Sequence, residues 1–430
     1  MTSNLNSIVV DPSWSFADCT QRHTRYITHA YHTYPAKFIP QLATRLILEL
    51  SEQGDTIVDP FMGSGTTIIE AMVHSRKGIG TDINPVAHLI AKVKSTPIAP
   101  KILEAHFAEL ASQLHSANSL QPKLFGKQPA VASPQNDRID YWFSNEQKKQ
   151  LDAILGAIME ISNQAVREFF MVGFSQILKT CSIWLQKSVK PVRDLHKKPA
   201  DPLKAFERQV KAMLKRNQEF HDMLPKNVVA NIERFRKVYS ADARCIPINA
   251  GTAKLVVTSP PYVTSYEYAD LHQLTGLWFS YFDALPQFRQ KFIGSTYTAR
   301  EPINLQSEIG ETIVSNLKNK KAREVEKYFA DMLECFTEMN RVLKKGGFAC
   351  VVIGNTAFQG VEILNAEVYV EQMQALGFKT HNIVRREIPS KMLPQVRDPK
   401  NGKFTSATAK GNVLVYPTEY ILIMEKQNDV

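Results

Sequence analysis

The chain has 430 residues, of which 44% are hydrophobic and 22% are charged. This balance is typical of a folded protein of two or three domains and argues against extensive disorder. The 52 Lys and Arg residues exceed the 42 Asp and Glu residues, which gives a net charge of +10. Such an excess favours a polyanionic partner, and a basic surface without any such partner is the alternative.

The five cysteines lie far apart and form no CxxC pair. The sequence therefore predicts neither a bound metal ion nor a disulfide framework. No apolar run approaches the roughly 18 residues that span a bilayer, and the N-terminal residues lack a signal-peptide pattern. We therefore expect neither secretion nor membrane insertion, and we predict a cytoplasmic location.

A polar segment over residues 1–35 precedes a regular alternation of elements. The predicted elements are a helix at 38–50, a strand at 56–59, a helix at 66–77, a strand at 77–82 and a helix at 84–95. A strand, a glycine turn, a helix and a second strand in this order are typical of a doubly wound parallel sheet. The sequence therefore predicts an α/β fold.

The alternation is interrupted between about residues 101 and 235. Three helices are predicted there, at 145–161, 164–185 and 203–224. Strands follow at 237–242, 254–259, 348–354, 382–389 and 419–426. Between the second and third of these, apolar residues recur every three or four positions from Val325 to Val342, which predicts a long amphipathic helix.

Cationic residues are concentrated in the second part of this helical insertion. Residues 187–237 contain 14 Lys and Arg against 6 Asp and Glu. Four cations recur at steps of four, three and four and so share one helix face: Lys204, Arg208, Lys211 and Lys215. This face is a candidate for polyanion binding, and an ordinary solvated helix face is the alternative.

A glycine turn, DPFMGSGTT, occupies residues 59–67 directly after the first predicted strand. Glycines at this point let the backbone pass close to a ligand at the carboxyl edge of a parallel sheet. The turn lacks the GxxxxGK[ST] pattern of a phosphate-binding loop and the third glycine of a dinucleotide fingerprint. Taken alone, it is equally compatible with a structural turn.

The second predicted strand ends in GIGTD, with an acidic residue at Asp82. A carboxylate about 20 residues beyond the glycine turn can accept hydrogen bonds from ribose hydroxyls. A helix N-cap is the alternative role for Asp82. The two motifs together favour a ligand that contains adenosine.

A third motif, TSPPY, occupies residues 258–262 after an apolar strand. Consecutive prolines stiffen the backbone and leave carbonyl groups without local amide donors. Ser259 adds a hydroxyl acceptor and Tyr262 adds a flat ring on which a base could stack. The motif could therefore hold an exocyclic amine, and a rigid turn is the alternative.

Together these three motifs resemble those of the DNA amino-methyltransferases, which transfer a methyl group from S-adenosylmethionine to cytosine N4 or adenine N6. The segments YPAKFIP (34–40) and RVLKKGG (341–347) extend the resemblance. It covers residues 32–95 and 236–425 and leaves the insertion unmatched. The resemblance implies a doubly wound, Rossmann-like class I methyltransferase sheet with a helical insertion.

The resemblance also implies roles for individual residues. Those implied to bind S-adenosylmethionine are Lys37, Phe38, Asp59, Phe61, Gly63, Gly65, Thr66, Asp82 and Asp242. Those implied to form the catalytic motif are Ser259, Pro260, Pro261 and Tyr262. Within the first set, Asp59 belongs to the methionine half of the cofactor site, Asp82 to the ribose and Asp242 to the adenine.

The identity of the target base follows from the motif by the same resemblance. Family members with Ser at the position of Ser259 mostly methylate cytosine N4, and those with Asp or Asn mostly methylate adenine N6. We therefore expect a cytosine-N4 enzyme that acts on a base extruded from double-stranded DNA by direct in-line transfer. Adenine N6 of DNA, an RNA base, and a non-catalytic nucleic-acid-binding protein are the alternatives, in that order.

We expect three regions along the chain. Residues 1–100 form an N-terminal segment and the cofactor-binding half, 101–235 a basic insertion that is a candidate for target recognition, and 236–430 the catalytic half. A second basic candidate for DNA contact lies in the loop 390–412 and contains Lys391, Arg397, Lys400 and Lys403. The expected partners are double-stranded DNA and a cognate restriction endonuclease or other defence protein, with the chain a monomer or a homodimer.

Overall fold

The centre of the protein, which we describe from a computed structural model, is one mixed β-sheet. The structure describes residues 5–35, 37–119, 137–263, 268–282, 285–295, 304–358, 360–388, 396–397, 413–414 and 418–427. The sheet has seven strands: β1 Thr56–Asp59, β2 Lys77–Asp82, β3 Arg236–Ser240, β4 Ala253–Thr258, β5 Leu343–Ile353, β6 Phe378–Glu387 and β7 Thr418–Lys426. Their order across the sheet is β3-β2-β1-β4-β5-β7-β6.

Strands β1 to β5 are parallel to one another, whereas β7 is antiparallel to both of its neighbours, β5 and β6. The four residues of β1 are all buried, as expected for a central parallel strand with helices on both faces of the sheet. The strand order reverses its direction beside β1, where β4 pairs on the side opposite β2. The predicted doubly wound α/β fold is thus confirmed.

Helices cover the sheet and make up the insertion between β2 and β3. Those before the insertion are Gln21–Thr24, Pro40–Leu50, Thr66–Val73 and Pro85–Lys94. Those between β2 and β3 beyond Lys94 are Pro100–Ser119, Asp137–Trp142, Asn145–Met159, Gln164–Leu178, Pro202–Met223, Lys226–Ala230 and Ile232–Phe235. Those after β4 are Tyr268–Leu271, Gln273–Trp278, Leu285–Arg289, Glu308–Asn316, Asn319–Val342 and Asn365–Ala375.

The remaining elements are short. Single 3-10 turns occur at Leu5–Ser7, Pro12–Trp14 and Ile27–Ala30. Two small antiparallel pairs join Thr356–Phe358 to Val361–Ile363 and Val396–Arg397 to Val413–Leu414. Within the described residues, no helix is long and apolar enough to cross a membrane.

Several element boundaries differ from the prediction. The helix predicted at 38–50 begins at Pro40, because proline is favoured in the first turn of a helix. The helices predicted to end at 77 and 185 end at Val73 and Leu178. The N-terminal segment, polar in sequence, nevertheless buries Trp14 and Ile27 in the core.

The insertion and the cofactor-side helix share one hydrophobic core. Val86 and Ile90 of the helix Pro85–Lys94 pack in the same cluster as Phe170 and Phe206 of the insertion. On the helix Pro202–Met223, the four cations named above are exposed, whereas Phe206 and Val210 are buried. The basic face predicted from their spacing is therefore the solvent face of this helix.

Candidate active site

A cavity lies at the carboxyl edge of the sheet, where β1, β2 and β4 end. Its lining comes from six chain segments: Tyr34, Lys37 and Phe38; Asp59, Pro60, Phe61, Met62, Gly63, Ser64 and Thr66; Asp82, Ile83 and Asn84; Asp242 and Ala243; Ser259 and Pro261; and Lys291, Phe292 and Ile293. Ligands of doubly wound folds bind at this edge, at the point where the strand order reverses.

Most of the residues predicted from the motifs meet in this cavity. Those that line it are Lys37, Phe38, Asp59, Phe61, Gly63, Thr66, Asp82, Asp242, Ser259 and Pro261. Gly65, Pro260 and Tyr262 are not among the lining residues. Lys391, Lys400 and Lys403 lie outside the described residues, as does the side chain of Arg397, whose backbone belongs to a two-residue strand.

The glycine turn is shaped by two left-handed residues. Gly63 has a φ of +48°, and a Cβ there would lie 3.0 Å from the ring of Tyr34. Gly65 has a φ of +79°, and a Cβ there would lie 3.0 Å from the Cβ of Ala91. Gly65 therefore permits the close approach of the helix Pro85–Lys94.

Asp59 ends β1 with a buried side chain that accepts three hydrogen bonds. Its Oδ1 accepts from the Thr258 hydroxyl at 2.7 Å and from the backbone N–H of Phe61 at 3.1 Å. Its Oδ2 accepts from the Thr67 hydroxyl at 2.8 Å. Thr258 is the residue before Ser259, so this carboxylate joins the glycine turn directly to the TSPPY motif.

Asp82 connects β2 to the glycine turn. Its Oδ2 accepts from the backbone N–H of Gly63 at 3.0 Å, and its Oδ1 accepts from that of Asn84 at 2.8 Å. Asn84 rather than Asp82 is the N-cap of the following helix, since its side chain accepts from the Val86 N–H. The alternative role that the sequence left open for Asp82 is thereby excluded.

Burial governs the ionisation of both carboxyl groups. Removal from solvent raises the pKa of Asp59 to about 6, against the lowering effect of its hydrogen bonds, and the neighbouring Asp82 charge raises it further. Removal from solvent likewise raises the pKa of Asp82 to about 6. Two carboxyls of raised pKa in one cavity are characteristic of functional sites.

Two lysines, one fully buried and one half-buried, lie close to the glycine turn and the cavity. Lys94 is fully buried, and its Nζ donates to the carbonyl oxygen of Ser64 at 2.7 Å and to the Ser64 hydroxyl at 3.2 Å. Lys37 donates to the His29 carbonyl at 3.3 Å, and burial lowers its pKa to about 8. Lys94 thus supports the middle of the glycine turn through Ser64, and Lys37 lines the cavity.

The wall that contains Asp242 is held by an arginine which the motifs did not predict. Arg244 donates to both carboxylate oxygens of Asp242, at 3.0 and 2.6 Å, and its third nitrogen pairs with Asp331 at 3.0 Å. Asp331 also accepts from the backbone N–H of Gly294 at 2.9 Å. This network brings residues 291–293 to the cavity.

Sequence reasoning missed several lining residues. Lys291, Phe292 and Ile293 lie in an irregular segment with no periodic pattern, so the sequence carried no signal for them. Asn84 could have been found, because an Asn that precedes a proline at the start of a helix is a common N-cap. Its position beside Asp82 would then have placed it at the cavity.

The TSPPY motif is fixed by side chains from distant helices and strands. The carbonyl oxygen of Pro261 accepts from the Tyr328 hydroxyl at 2.7 Å, and Tyr328 is also hydrogen-bonded to Tyr369. The hydroxyl of Tyr262 donates to Glu419 at 3.4 Å. The motif therefore keeps one conformation next to the end of β4.

A buried polar path connects the cavity to the insertion. The side-chain amide of Asn84 donates to Nδ1 of His272 at 3.0 Å. Three residues on, Thr275 is hydrogen-bonded at 2.7 Å to Ser175 of the insertion, which also bonds His32 at 2.9 Å. Both histidines are buried and have structural partners.

The lining fits a ligand with an adenosine and an amino-acid part. Asp59 and Asp82 offer carboxylate oxygens to ammonium and hydroxyl donors, and Phe38 and Phe61 offer apolar surfaces for a ring. Within the described ranges, no group of three or more His, Cys, Asp or Glu side chains could hold a metal ion.

Comparison with known proteins identifies the family. The DNA methylase model N6_N4_Mtase matches residues 3–93 and 253–430, more than half of the chain. The chain belongs to this DNA methylase family. The family and S-adenosylmethionine as cofactor, both predicted from the motifs, are thereby confirmed. The family model does not match residues 94–252, which include the basic insertion.

Individual proteins are similar to this DNA methylase over different lengths. The type II methyltransferase M.MvaI of Kocuria varians is 27% identical over 442 residues, covering 94% of this chain and 92% of the relative. The DNA adenine methyltransferase YhdJ of Escherichia coli is 42% identical over 60 residues, 14% of this chain and 20% of the relative. A putative DNA modification methylase of Thermus thermophilus, solved with S-adenosyl-L-methionine, has a TM-score of 0.24 and 18% identity, covering 44% of this chain and 55% of that one.

Proposed function

We propose that this DNA methylase transfers a methyl group to N4 of cytosine at specific sites in double-stranded DNA. The observation that carries the proposal is the position of Ser259 at the cavity that also contains Asp59 and Asp82. Ser259 directly follows Thr258, whose hydroxyl is hydrogen-bonded to Asp59. Ser259, which family members that methylate cytosine N4 mostly share, is thus at the proposed cofactor pocket.

S-adenosylmethionine supplies an electrophilic methyl group when it is bound. Asp59 would pair with its amino-acid part, Asp82 would accept hydrogen bonds from the ribose hydroxyls, and Asp242 would border the adenine. Phe61, Gly63 and Thr66 would form the floor of this pocket. Lys37 and Phe38 would close it from the N-terminal side, with Gly65 in a packing role.

The catalytic task of the chain is to orient a poorly nucleophilic amine. The N4 lone pair of cytosine is delocalised into the ring. The Ser259 hydroxyl and the Pro260 carbonyl would accept the two amine protons and so favour a pyramidal nitrogen. Orientation of this kind can contribute roughly 7–11 kcal/mol to rate acceleration.

The target base must leave the duplex to reach this motif, at a cost of a few kcal/mol. We propose that the ring of Tyr262 stacks on the extruded base, with its hydroxyl held by Glu419. Pro261, whose carbonyl is bonded to Tyr328, keeps the motif rigid. Proton loss follows methyl transfer, so the proposal requires no strong general base.

We propose that the chain is divided into the three regions 1–100, 101–235 and 236–430. We assign DNA binding to the second of these, the basic insertion. The exposed cations Lys204, Arg208, Lys211 and Lys215 would contact phosphates. The second basic segment, with Lys391, Arg397, Lys400 and Lys403, would approach the same DNA. The 27% identity to a type II methyltransferase supports a cognate restriction endonuclease as a partner. We further propose that the methylase is cytoplasmic in a prokaryote and is a monomer or a homodimer.

Adenine N6 is the second candidate target. It is favoured by the 42% identity over 60 residues to a DNA adenine methyltransferase. The segment shared with that relative is short, whereas the serine of the TSPPY motif is the local chemical difference between the two classes. We therefore rank cytosine N4 first.

The test compares plasmid DNA from cells that express the wild type, Ser259→Ala or the control Ser315→Ala, an exposed serine far along the chain. Nucleosides are quantified by mass spectrometry. We expect N4-methylcytosine in the wild type and the control, and its loss in Ser259→Ala. N6-methyladenine instead would select the second candidate.

A third outcome separates the remaining alternatives. If neither methylated base appears in DNA, cellular RNA is digested in the same way, and a methylated base that depends on Ser259 would identify an RNA methyltransferase. Binding of S-adenosylmethionine without any methylated nucleic acid would indicate a non-catalytic protein.

A further inference from the structure

The C-terminal end of the insertion helix Gln164–Leu178 lies at the cavity side of the molecule. Near the start of this helix, Glu168 pairs at 2.7 Å with Lys92, near the end of Pro85–Lys94. Near its end, Gln176 accepts at 2.8 Å from the N–H of Thr33, next to Tyr34 of the cavity wall. The two helices are therefore antiparallel, and the chain beyond Leu178 emerges on the side of the carboxyl edge.

Residues 182–200, which we call the recognition loop, follow at this point. Their backbone forms a small antiparallel ladder: the Leu185 N–H donates to the Val192 carbonyl and the Asp194 N–H to the Ile183 carbonyl, both at 2.8 Å. Trp184 and Arg193 form the bridge between the two arms. The backbone of the loop is thus ordered by hydrogen bonds between its two arms.

Aromatic and cationic contacts attach the recognition loop to the insertion. The ring of Trp184 stacks on Trp142 with centroids 5.1 Å apart. The ammonium group of Lys197 donates to the carbonyls of Lys179 and Trp184 at 2.8 and 2.7 Å. Arg193 lies 4.1 Å above the ring of Tyr141. Lys197 therefore has a structural role, and these contacts hold the recognition loop rigidly against the insertion.

The outer surface of the recognition loop is basic and carries exposed apolar side chains. Its exposed cations are Lys187, Lys190, Arg193 and Lys198. Asp194 is its one acidic residue, and the Asp194 carboxylate accepts from the loop's own His196 N–H at 3.1 Å. Leu195 is 72% exposed and Val192 is 44% exposed.

This combination matches the chemistry of a DNA groove. Cations on a rigid support bind phosphates and fix the position of the protein, while sequence is read at base edges. Apolar side chains read the C5-methyl group of thymine or wedge between bases. The next exposed cation along the chain, Lys204, starts the basic face of the helix Pro202–Met223, so the loop leads directly into that helix.

We propose that the recognition loop contacts DNA beside the extruded base, with Lys187 and Lys190 on phosphates and Leu195 on base edges. This inference rests on the proposed function and deepens it, because it assigns sequence discrimination to one loop of the insertion. The partner is a DNA duplex, and an RNA hairpin serves as the competing probe in the test.

The first experiment measures the salt dependence of binding. The probes are a 40-base-pair duplex with the sequence that the wild type methylates, a random duplex and an RNA hairpin, all with S-adenosylhomocysteine present. In Lys187→Gln/Lys190→Gln, the slope of log K against log salt should fall by about 1.8, since each phosphate contact contributes roughly 0.9. The matched control is Lys344→Gln/Lys379→Gln, two exposed lysines at the starts of β5 and β6, on the opposite edge of the sheet.

The second experiment measures discrimination. In Leu195→Ser, the ratio of target to random affinity should fall about tenfold, which is within the range typical for the loss of readout at one base pair. The control is Val9→Ser, another exposed apolar residue, at 85% exposure. Equal thermal unfolding midpoints and equal cofactor affinity establish that each variant is folded.

The outcomes separate the inference from the function on which it depends. A wild type that modifies no DNA would contradict the proposed function. If the wild type methylates DNA, an unchanged slope in the lysine variant, or a loss confined to the RNA hairpin, would show that the loop does not bind DNA. An unchanged target-to-random ratio in Leu195→Ser would overturn its role in reading sequence.

Discussion

The cavity and the insertion use charged residues in opposite ways. Around the cavity, Asp59 and Lys94 are buried and Asp82 is half-buried, and each is held by hydrogen bonds from or to the glycine turn or the neighbouring strand. On the helix Pro202–Met223, the cations Lys204 and Lys211 face solvent, above a core of apolar side chains.

This difference indicates how each region responds to substitution. A buried charge that loses its partner or is itself removed disturbs several atoms at once, so single changes in the cavity should have large effects. Exposed cations act on a polyanion through screened charge, so their effects should be small, similar and dependent on salt. Four predictions test this contrast.

The largest effect is expected for Asp82→Ala. The change removes the proposed acceptor for the ribose hydroxyls and also the acceptor of the Gly63 N–H, so the glycine turn loses its link to β2. We expect S-adenosylmethionine to bind at least about 100-fold more weakly, since two hydrogen bonds to a charged group are lost at roughly 1.5–3 kcal/mol each. Isothermal titration calorimetry measures this, with the exposed Asp222→Ala as control. Unchanged affinity in Asp82→Ala would place the ribose elsewhere.

The second prediction concerns pH. The pKa values of Asp59 and Asp82 are both raised to about 6 by burial. The cofactor should bind the ionised carboxylates, so its affinity should rise about tenfold per carboxyl between pH 5 and pH 7. In the free protein the sign is opposite: the protonated form is favoured by the fold, and this contribution to stability is greatest below pH 3.8 and lost as the pH rises through 6.

Titration calorimetry at half-unit steps of pH provides the measurement. The variant Asp82→Asn removes one of the two ionisations, so its pH dependence should be shallower by about tenfold over the same range. An affinity that does not change between pH 5 and pH 7 would mean that both carboxyls are already ionised in the free protein.

The third prediction uses two lysines on one helix. Lys94→Met leaves the Ser64 carbonyl without its buried donor, and we expect a loss of roughly 1–3 kcal/mol in the free energy of unfolding and about fivefold weaker cofactor binding. Lys92→Met removes the pair of Lys92 with Glu168, which is partly exposed, and should cost less than about 1 kcal/mol. Urea unfolding and cofactor titration of both variants test the contrast, and equal effects would argue against a specific support for the turn by Lys94.

The sequence predicted the parts of the site that lie at strand ends. Asp59 and Asp82 are the last residues of β1 and β2, and Ser259 directly follows β4. Parallel strands bring their carboxyl ends to one edge of the sheet. The basic helix face was equally predictable, because helical periodicity alone decides which side chains share a face. Both inferences depend on local order in the chain.

The parts that escaped prediction depend on tertiary contacts. The segment 291–293 reaches the cavity because Asp331, on a distant helix, holds the N–H of Gly294. The close approach of Ala91 to Gly65 likewise depends on how the helix Pro85–Lys94 packs on the glycine turn. A motif specifies which residues are near a site, but only the packing of helices on the sheet decides which atoms face it.

The smallest effect is expected on the basic helix. Lys211→Gln removes one exposed cation that does not line the cavity, so cofactor binding and stability should be unchanged. DNA affinity should fall about threefold at roughly 0.2 M salt and more at lower salt, because the salt slope should fall by roughly 0.9. Fluorescence anisotropy with a labelled duplex measures both quantities, and Lys215→Gln should behave in the same way because the two side chains share one face. A loss of DNA binding of about 100-fold at that salt, in either variant, would be well beyond the effect of one phosphate contact. Such a loss, or a change in cofactor binding, would mean that the helix makes a specific contact like those in the cavity. The contrast between the two regions would then fail.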